Sequence, residues 1–174
     1  MSTHRELVIS IHPEYAYLEM KKIKELEARS WIPKNYTGWV NVYITETAPG
    51  KNKASQLFRS DSAAYDGIQK TVGKISYRFL FVNYVEWPVI REKLIYHRKY
   101  CSLRVCQNLE SYQLSALLQD SCLEQSEFDK IRKHHQKMFF WYISKLEIFD
   151  RPRSLSEFGL KKAPQKCAWV QVED

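Results

Sequence analysis

Apolar and polar positions alternate through Glu6–Ile11 (ELVISI), and the apolar ones are β-branched or leucine, which predicts a first strand. The period then changes. In HPEYAYLEMKK, Pro13 suits a first helical turn, Glu14 suits the N-terminal dipole, and Ala16, Met20 and Ile23 keep helical spacing. Alternation returns in Thr37–Thr47, where Trp39, Asn41 and Tyr43 interleave with Val40, Val42 and Ile44 behind an entry glycine, Gly38. The polar stretch from Ala48 to Lys74 contains Gly50, Gly67 and Gly73 and exceeds a usual connection. Short helices fit its ASQLF and AYDGIQ segments. Ile75–Trp87 is the most strand-like segment in the chain.

Beyond it, KLIYHRKYCSLRV suggests one or two short strands. Leu109–Gln119 predicts a helix, and LEQSEFDKIRKHH a second, with Phe128 and Ile131 on one face. Lys137–Phe149 predicts one long strand, SLSEFG a turn closed by Gly159, and Cys167–Val172 a last strand. This order is mixed α+β: a curled or closed sheet with short helices at its ends. The 174 residues predict one domain, 1–174, with a variable middle region at about 48–107.

Charge adds a location. The net charge is +7, yet residues 1–50 balance, and so do residues 105–174. Between 51 and 104, eleven basic residues face four acidic ones, interleaved with nine aromatics. Cations meet phosphates and rings stack on bases, so this region suits a nucleic-acid surface, with Lys70, Lys74, Arg78 and Arg91 as candidate contacts. Core rings and a solubilising charge are the simpler explanation of the same residues. Arg78 stands inside a strand, where it is either a contact or an outward-facing arginine. No run of eighteen apolar residues exists, so no membrane-spanning helix is expected, and the N-terminus does not read as a signal peptide. Four irregularly spaced cysteines fit a reducing, cytoplasmic setting. His97, Cys101, Cys106 and Cys122 match no zinc spacing, and no metal or cofactor is expected.

Two stretches at opposite ends of the chain carry a resemblance. ISIHPEYAYLEMKKIKELEAR followed by GWVNVYIT, and KLEIFDRPRSLSEFGLKKAPQKCAWV, together resemble the ASCH domain of the PUA-like β-barrel superfamily. On its motif G-x-K-x-x-E-x-R fall Lys24, Glu27 and Arg29. Pro152, Leu155, Ser156 and Phe158 fall on a later turn, and Pro164-Gln165 on the closing strand. Lys22 stands where the motif has Gly, so the left-handed helix stop that glycine supplies is missing. Read from the residues alone, the helix can run on to Ala28, leaving Lys24 and Glu27 an exposed i,i+3 pair. The resemblance implies instead a small mixed barrel in which KELEARS is a strand beside a cleft. Glu25, Glu27 and Arg29 then share one face, and Leu26 and Ala28 the other.

The resemblance implies RNA or modified-nucleoside binding, with Lys24 and Arg29 as cleft cations and Glu27 orienting Arg29 or accepting from a base edge. It also admits a hydrolase. Some ASCH proteins are amidohydrolases on acylated nucleosides, with a Lys-Thr-Glu triad; Lys24 would be the lysine, but the threonine position holds Glu27. A ribonuclease would use Lys24 with Glu27 or another carboxylate such as Glu86. A third reading is a protein-interaction module, with the aromatics of QKMFFWYIS exposed and Leu109–Gln119 packed on a partner. No Walker, dinucleotide or Ser-His-Asp pattern is present. The residues do not specify an oligomeric state.

Overall fold

A computed structural model describes residues 3–87 and 109–173. The elements are β1 (Thr3–Ile11), α1 (Pro13–Met20), β2 (Leu26–Arg29), β3 (Gly38–Ile44), α2 (Lys53–Ser60), α3 (Ser62–Gln69), β4 (Ile75–Phe81), β5 (Tyr84–Trp87), α4 (Leu109–Asp120), α5 (Gln125–Arg132), β6 (Met138–Tyr142), β7 (Leu146–Arg153), a 3-10 turn (Leu155–Phe158) and β8 (Ala168–Glu173). The strands expected in 93–105 lie outside the described residues, as do Arg91, His97, Cys101 and Cys106. The architecture is mixed α+β, with the strands in two sheets, ordered β7-β4-β3-β1-β8 and β2-β6-β5.

The larger sheet follows from alternation. Leu7, Ile9 and Ile11 of β1, Val40, Val42 and Ile44 of β3, and Tyr77, Phe79 and Phe81 of β4 all turn to one face. There they pack with Ala16, Tyr17 and Leu18 of α1, Phe58 of α2 and Ile68 of α3. β1 and β3 run parallel, Leu7 opposite Val40, which requires a crossover; α1 and β2 supply it. Gly38 opens β3 because a Cβ there would meet Tyr36 Oη at 2.8 Å. The smaller sheet packs Leu26, Met138 and Phe140 on Leu117 and Leu118 of α4 and Phe128 of α5. The aromatic run of β6 is therefore core rather than a display surface.

Two expected strands are each two. Ile75–Trp87 breaks at 82–83 and Lys137–Phe149 at 143–145, and each half joins a different sheet. The arms stay paired through the bend. Leu80 N donates to Lys145 O at 2.8 Å, and Tyr142 N to Asn83 O at 3.0 Å. One bent hairpin thus turns the corner between sheets. Within it, Phe140 faces the smaller core while Trp141, its neighbour, is fully buried in the larger one. Trp141 lies edge-on to Trp31 with centroids 5.0 Å apart and donates Nε1–H to Trp31 O at 3.2 Å.

The end of α1 corrects the sequence reading. The helix stops at Met20, and Lys22 takes the left-handed conformation itself, at φ 57°. Lys22 N donates to Glu19 O at 2.9 Å and Ile23 N to Leu18 O at 2.9 Å, the paired bonds of a Schellman stop. The helix does not run on to Ala28, and Ile23 is exposed. Cys122, at φ 54°, closes α4 in the same way, through Cys122 N to Gln119 O and Leu123 N to Leu118 O. The two stops meet: Glu25 N donates to Asp120 O at 2.8 Å.

A left-handed residue carrying a Cβ costs about 1–2 kcal/mol, which glycine avoids, partly offset by glycine's greater freedom when unfolded. Lys22→Gly should therefore stabilise the protein by about 0.5–1 kcal/mol, and Lys22→Val should destabilise it. Urea midpoints at unchanged slope check this; a lower midpoint for Lys22→Gly would contradict the assigned helix stop.

Candidate functional site: a buried ion chain under a cleft

Lys24 follows the helix stop and points inward, only 3% exposed. A buried ammonium needs opposite charge and full hydrogen bonding. Both neighbouring elements supply them. Glu19, from the last turn of α1, accepts from Lys24 Nζ through Oε1 at 2.6 Å. Glu27, from β2, accepts from the same Nζ through Oε2. The chain continues at both ends. Tyr77 of β4 donates its hydroxyl to Glu19 Oε2 at 2.6 Å. Arg29 Nε lies 2.6 Å from Glu27 Oε1, and its other arm donates to Ser10 O of β1 at 2.9 Å. Cross-strand pairing sets Glu27 opposite Trp141 and Arg29 opposite Phe139. Leu26 and Ala28 point the other way, into the smaller core, as period two requires.

The two carboxylates titrate in opposite directions. Burial raises Glu19 to about 7, against the pull of Lys24. Burial also works against the Glu27 charge, but Lys24 and Arg29 outweigh it and hold Glu27 at about 2. Lys24 loses solvation too, yet the paired carboxylates raise it above the ordinary lysine value. Burial and Glu19 push the Tyr77 hydroxyl upward, so it stays a donor. Lys24 is thus a fixed cation and Glu27 a fixed anion with both oxygens occupied.

Above the chain lies a cavity of about 170 Å³, walled by Ser10, Ile11, His12, Tyr15, Lys24, Glu27, Ala28 and Arg29, with Leu123 and Ile131 opposite. Lys24, Glu27 and Arg29 therefore meet in one place. Arg29 is the most exposed of the three; two of its nitrogens face Glu27 and Ser10 O, which leaves N–H donors for a ligand. Tyr15 is anchored by its hydroxyl to Glu127 Oε1 at 2.7 Å, joining α1 to α5. Glu14, in the first turn of α1, is buried and accepts from Ser55 Oγ at 3.2 Å.

The other candidates lie elsewhere. Arg78 is on the opposite face of the larger sheet, bonded to Glu6 Oε1 at 3.0 Å and Glu147 Oε2 at 3.1 Å, with its guanidinium 4.3 Å from the Trp39 ring centre. Lys70 and Lys74 are exposed around the turn between α3 and β4 and do not line the cavity. Glu86 sits on β5 against Lys137 Nζ at 2.5 Å, away from Lys24. Cys122 is spent on the α4 stop, and among the described residues no three His, Cys, Asp or Glu side chains form a group able to hold a metal. No helix among them is long and apolar enough to cross a membrane. The site residues that sequence reading missed are Glu19, Tyr77, His12 and Tyr15. Glu19 carried a signal: a carboxylate in a helix whose other residues are largely apolar.

Stability should record the opposed carboxylates. Glu27 is depressed, so its contribution is complete above about 4.5 and is lost as pH falls toward about 2. Glu19 is raised, so the folded state holds an extra proton between about 4.5 and 7, and stability falls as pH rises through that window. Glu19→Gln has no carboxyl to titrate there, so its thermal midpoint should fall less than the parent's between pH 4.5 and 8. Parallel pH profiles for the two proteins would contradict the assignment.

No protein-family model and no curated protein sequence matches the chain. Among solved structures it is similar to the ASCH protein of Zymomonas mobilis, with a TM-score of 0.57 and 15% identity, over 95% of this chain and 87% of that one. A Tyr-to-Phe variant of the same protein gives the same TM-score and identity, with 89% of that chain covered. At this identity the likeness is one of fold: the chain shares the fold of that ASCH protein.

Proposed function

We propose that the protein binds RNA or a modified nucleoside, holding one anionic or carbonyl-bearing moiety of it in the cavity over Lys24, Glu27 and Arg29. The observation that carries this reading is the convergence of those three residues in one cavity wall, with Arg29 retaining unused donors. Burial works against the Glu19 charge, so Lys24 and Arg29 face the cavity beside one firmly held carboxylate, Glu27, and the floor favours negative charge. The ASCH-type fold and the net charge of +7 agree with it. The same reading takes residues 1–174 as one PUA-like domain, with the bent hairpin of β4–β5 and β6–β7 turning the corner of its barrel.

Binding is favoured over hydrolysis by the state of the two candidate catalytic groups. A general base works best with a pKa near the operating pH, and an amine nucleophile must lose its proton. Glu27 is held far below that range and Lys24 above its ordinary value. Glu19 titrates near neutrality but is fully buried beneath them.

Arg29→Gln should weaken binding of a short labelled single-stranded RNA by about 1.5–3 kcal/mol, the worth of a charge-assisted hydrogen bond. Lys70→Gln and Lys74→Gln should weaken binding modestly at low salt, whatever the sequence, and lower its salt dependence. Lys24→Met should instead destabilise the fold by about 3–5 kcal/mol, because it strands two buried carboxylates. Fluorescence anisotropy alongside melting curves separates these effects. Unchanged RNA affinity in a folded Arg29→Gln protein would remove the cleft from the function.

A further inference from the structure

The larger sheet ends in two outer strands, β7 and β8, and they are built differently. A free sheet edge presents a row of unpaired N–H and C=O groups, and proteins blunt it with proline, charge or a bulge. β7 has all three. Its register against β4 shifts between Ile75 and Tyr77, and Asp150, Arg151, Pro152 and Arg153 follow one another along it. β8 has one charge at its far end, Glu173, and neither of the others. Its register against β1 is unbroken from Ala168 to Glu173, and its sequence AWVQVE has no proline and no lysine. The backbone groups on its outer side find no ladder among the described residues.

Its side chains are as telling as its backbone. Trp169, Gln171 and Glu173 share one face, opposite Leu7, Arg5 and Thr3, and all three are exposed. Val170, on the other face, is buried with Val8 and Tyr43. Trp169 is a large ring left 39% exposed. Tyr36 meets it edge-on at 4.9 Å, and the Arg5 guanidinium lies 4.5 Å from its centre. Glu173 stands two residues beyond Gln171, the cross-strand partner of Arg5, a diagonal that long side chains can span. Yet neither Arg5 nor Glu173 has an opposite charge within ion-pair distance among the described residues. Arg5 turns the other way, onto Trp169. The attraction of a cation to a ring accounts for Arg5, but it gives nothing to Glu173 or to the open edge.

We propose that β8 pairs antiparallel with β8 of a second copy of this chain, about a two-fold axis at Gln171, so that the two larger sheets become one. A slip of one residue would exchange the faces, so only registers that oppose like faces are open. With Gln171 opposite itself, each Trp169 opposes Glu173 of the second copy. Each Arg5, lying over its own Trp169, then comes beside that carboxylate. The charge pair left unmade within one chain is made twice between two, as an isologous contact requires. An axis at Val170 sets Trp169 against Gln171, and an axis at Val172 sets Gln171 against Glu173; neither brings Glu173 to the ring that carries Arg5. The pairing also covers both Trp169 rings, a residue type enriched among interface anchors. None of these residues lines the cavity, so the proposal stands apart from the cleft reading.

Sedimentation velocity on the full chain, from micromolar to millimolar concentration, tests it together with melting curves. The parent should pass from monomer to dimer as concentration rises. Gln171→Lys sets two lysines face to face at the axis and should weaken association by about tenfold or more, while the monomer melts like the parent. Arg5→Glu and Glu173→Lys should each weaken it by about tenfold, because each reverses one side of both charge pairs, and the double variant Arg5→Glu/Glu173→Lys should recover the dimer. A parent that stays monomeric throughout would overturn the proposal and leave the edge to a strand of another protein. A dimer unchanged in Gln171→Lys would place the contact on another surface and overturn it equally. Loss of the dimer in both single charge reversals without recovery in the double variant would overturn the assigned pairing.

Discussion

Lys24 is the residue around which the first thirty residues are arranged. An ammonium with 3% exposure is tolerable only between carboxylates, and those lie five residues before it and three after. On a continuous helix, positions five apart point roughly 140° away from each other, so Glu19 and Lys24 would never meet. The chain must reverse between them. The left-handed Lys22 makes that reversal, and its strain is outweighed by the ion pairs it permits. Once the chain has turned, β2 has one available register against β6, because a slip of one residue would bury Arg29's neighbours on the wrong face.

The same charges tie distant elements together. From Tyr77 through Glu19, Lys24, Glu27 and Arg29 to the carbonyl of Ser10, the chain of contacts runs from β4 through α1 and β2 to β1. It therefore spans both sheets on the side where Trp141 already joins them. Low surrounding dielectric strengthens each link and penalises any broken one. The cavity consequently has a rigid floor, and the orientation of Arg29 is set before a ligand arrives.

Much of this fold was legible because it follows period. β1, α1, β3, the turn at Leu155–Phe158 with its left-handed Gly159, and β8 all stand where alternation and turn chemistry place them. The helices α2 and α3 fill the polar middle stretch, each capped by a side chain, Asn52 and Asp61. The bends at 82–83 and 143–145 were not legible. The polar residues at the bends, Asn83 and Ser144-Lys145, read equally well as solvent-facing positions of a continuing strand, so they did not mark a corner. The stop at Lys22 was hidden because left-handed geometry is read from glycine, and here tertiary ion pairs impose it on lysine. Glu27 and Arg29 were placed correctly on one face by period two, but Glu19 belongs to a different element, and only the fold brings it to Lys24. Charge counted over long windows also averages out local runs. Residues 105–174 balance overall, which concealed the exposed basic run after Ile131.

A satisfied network has little energy left to offer a ligand. Glu27 has both oxygens engaged, Lys24 is enclosed, and Glu19 lies beneath them, so what this network leaves uncommitted toward the cavity is the spare donors of Arg29. Such a floor discriminates by geometry: a group that fits meets a pre-set guanidinium, and one that does not leaves it unpaired. On the proposed reading, affinity for a nucleic acid comes from charges that are still solvated and free to exchange counterions for phosphates. Lys24 cannot be such a charge, because drawing it outward would strand its two buried carboxylate partners.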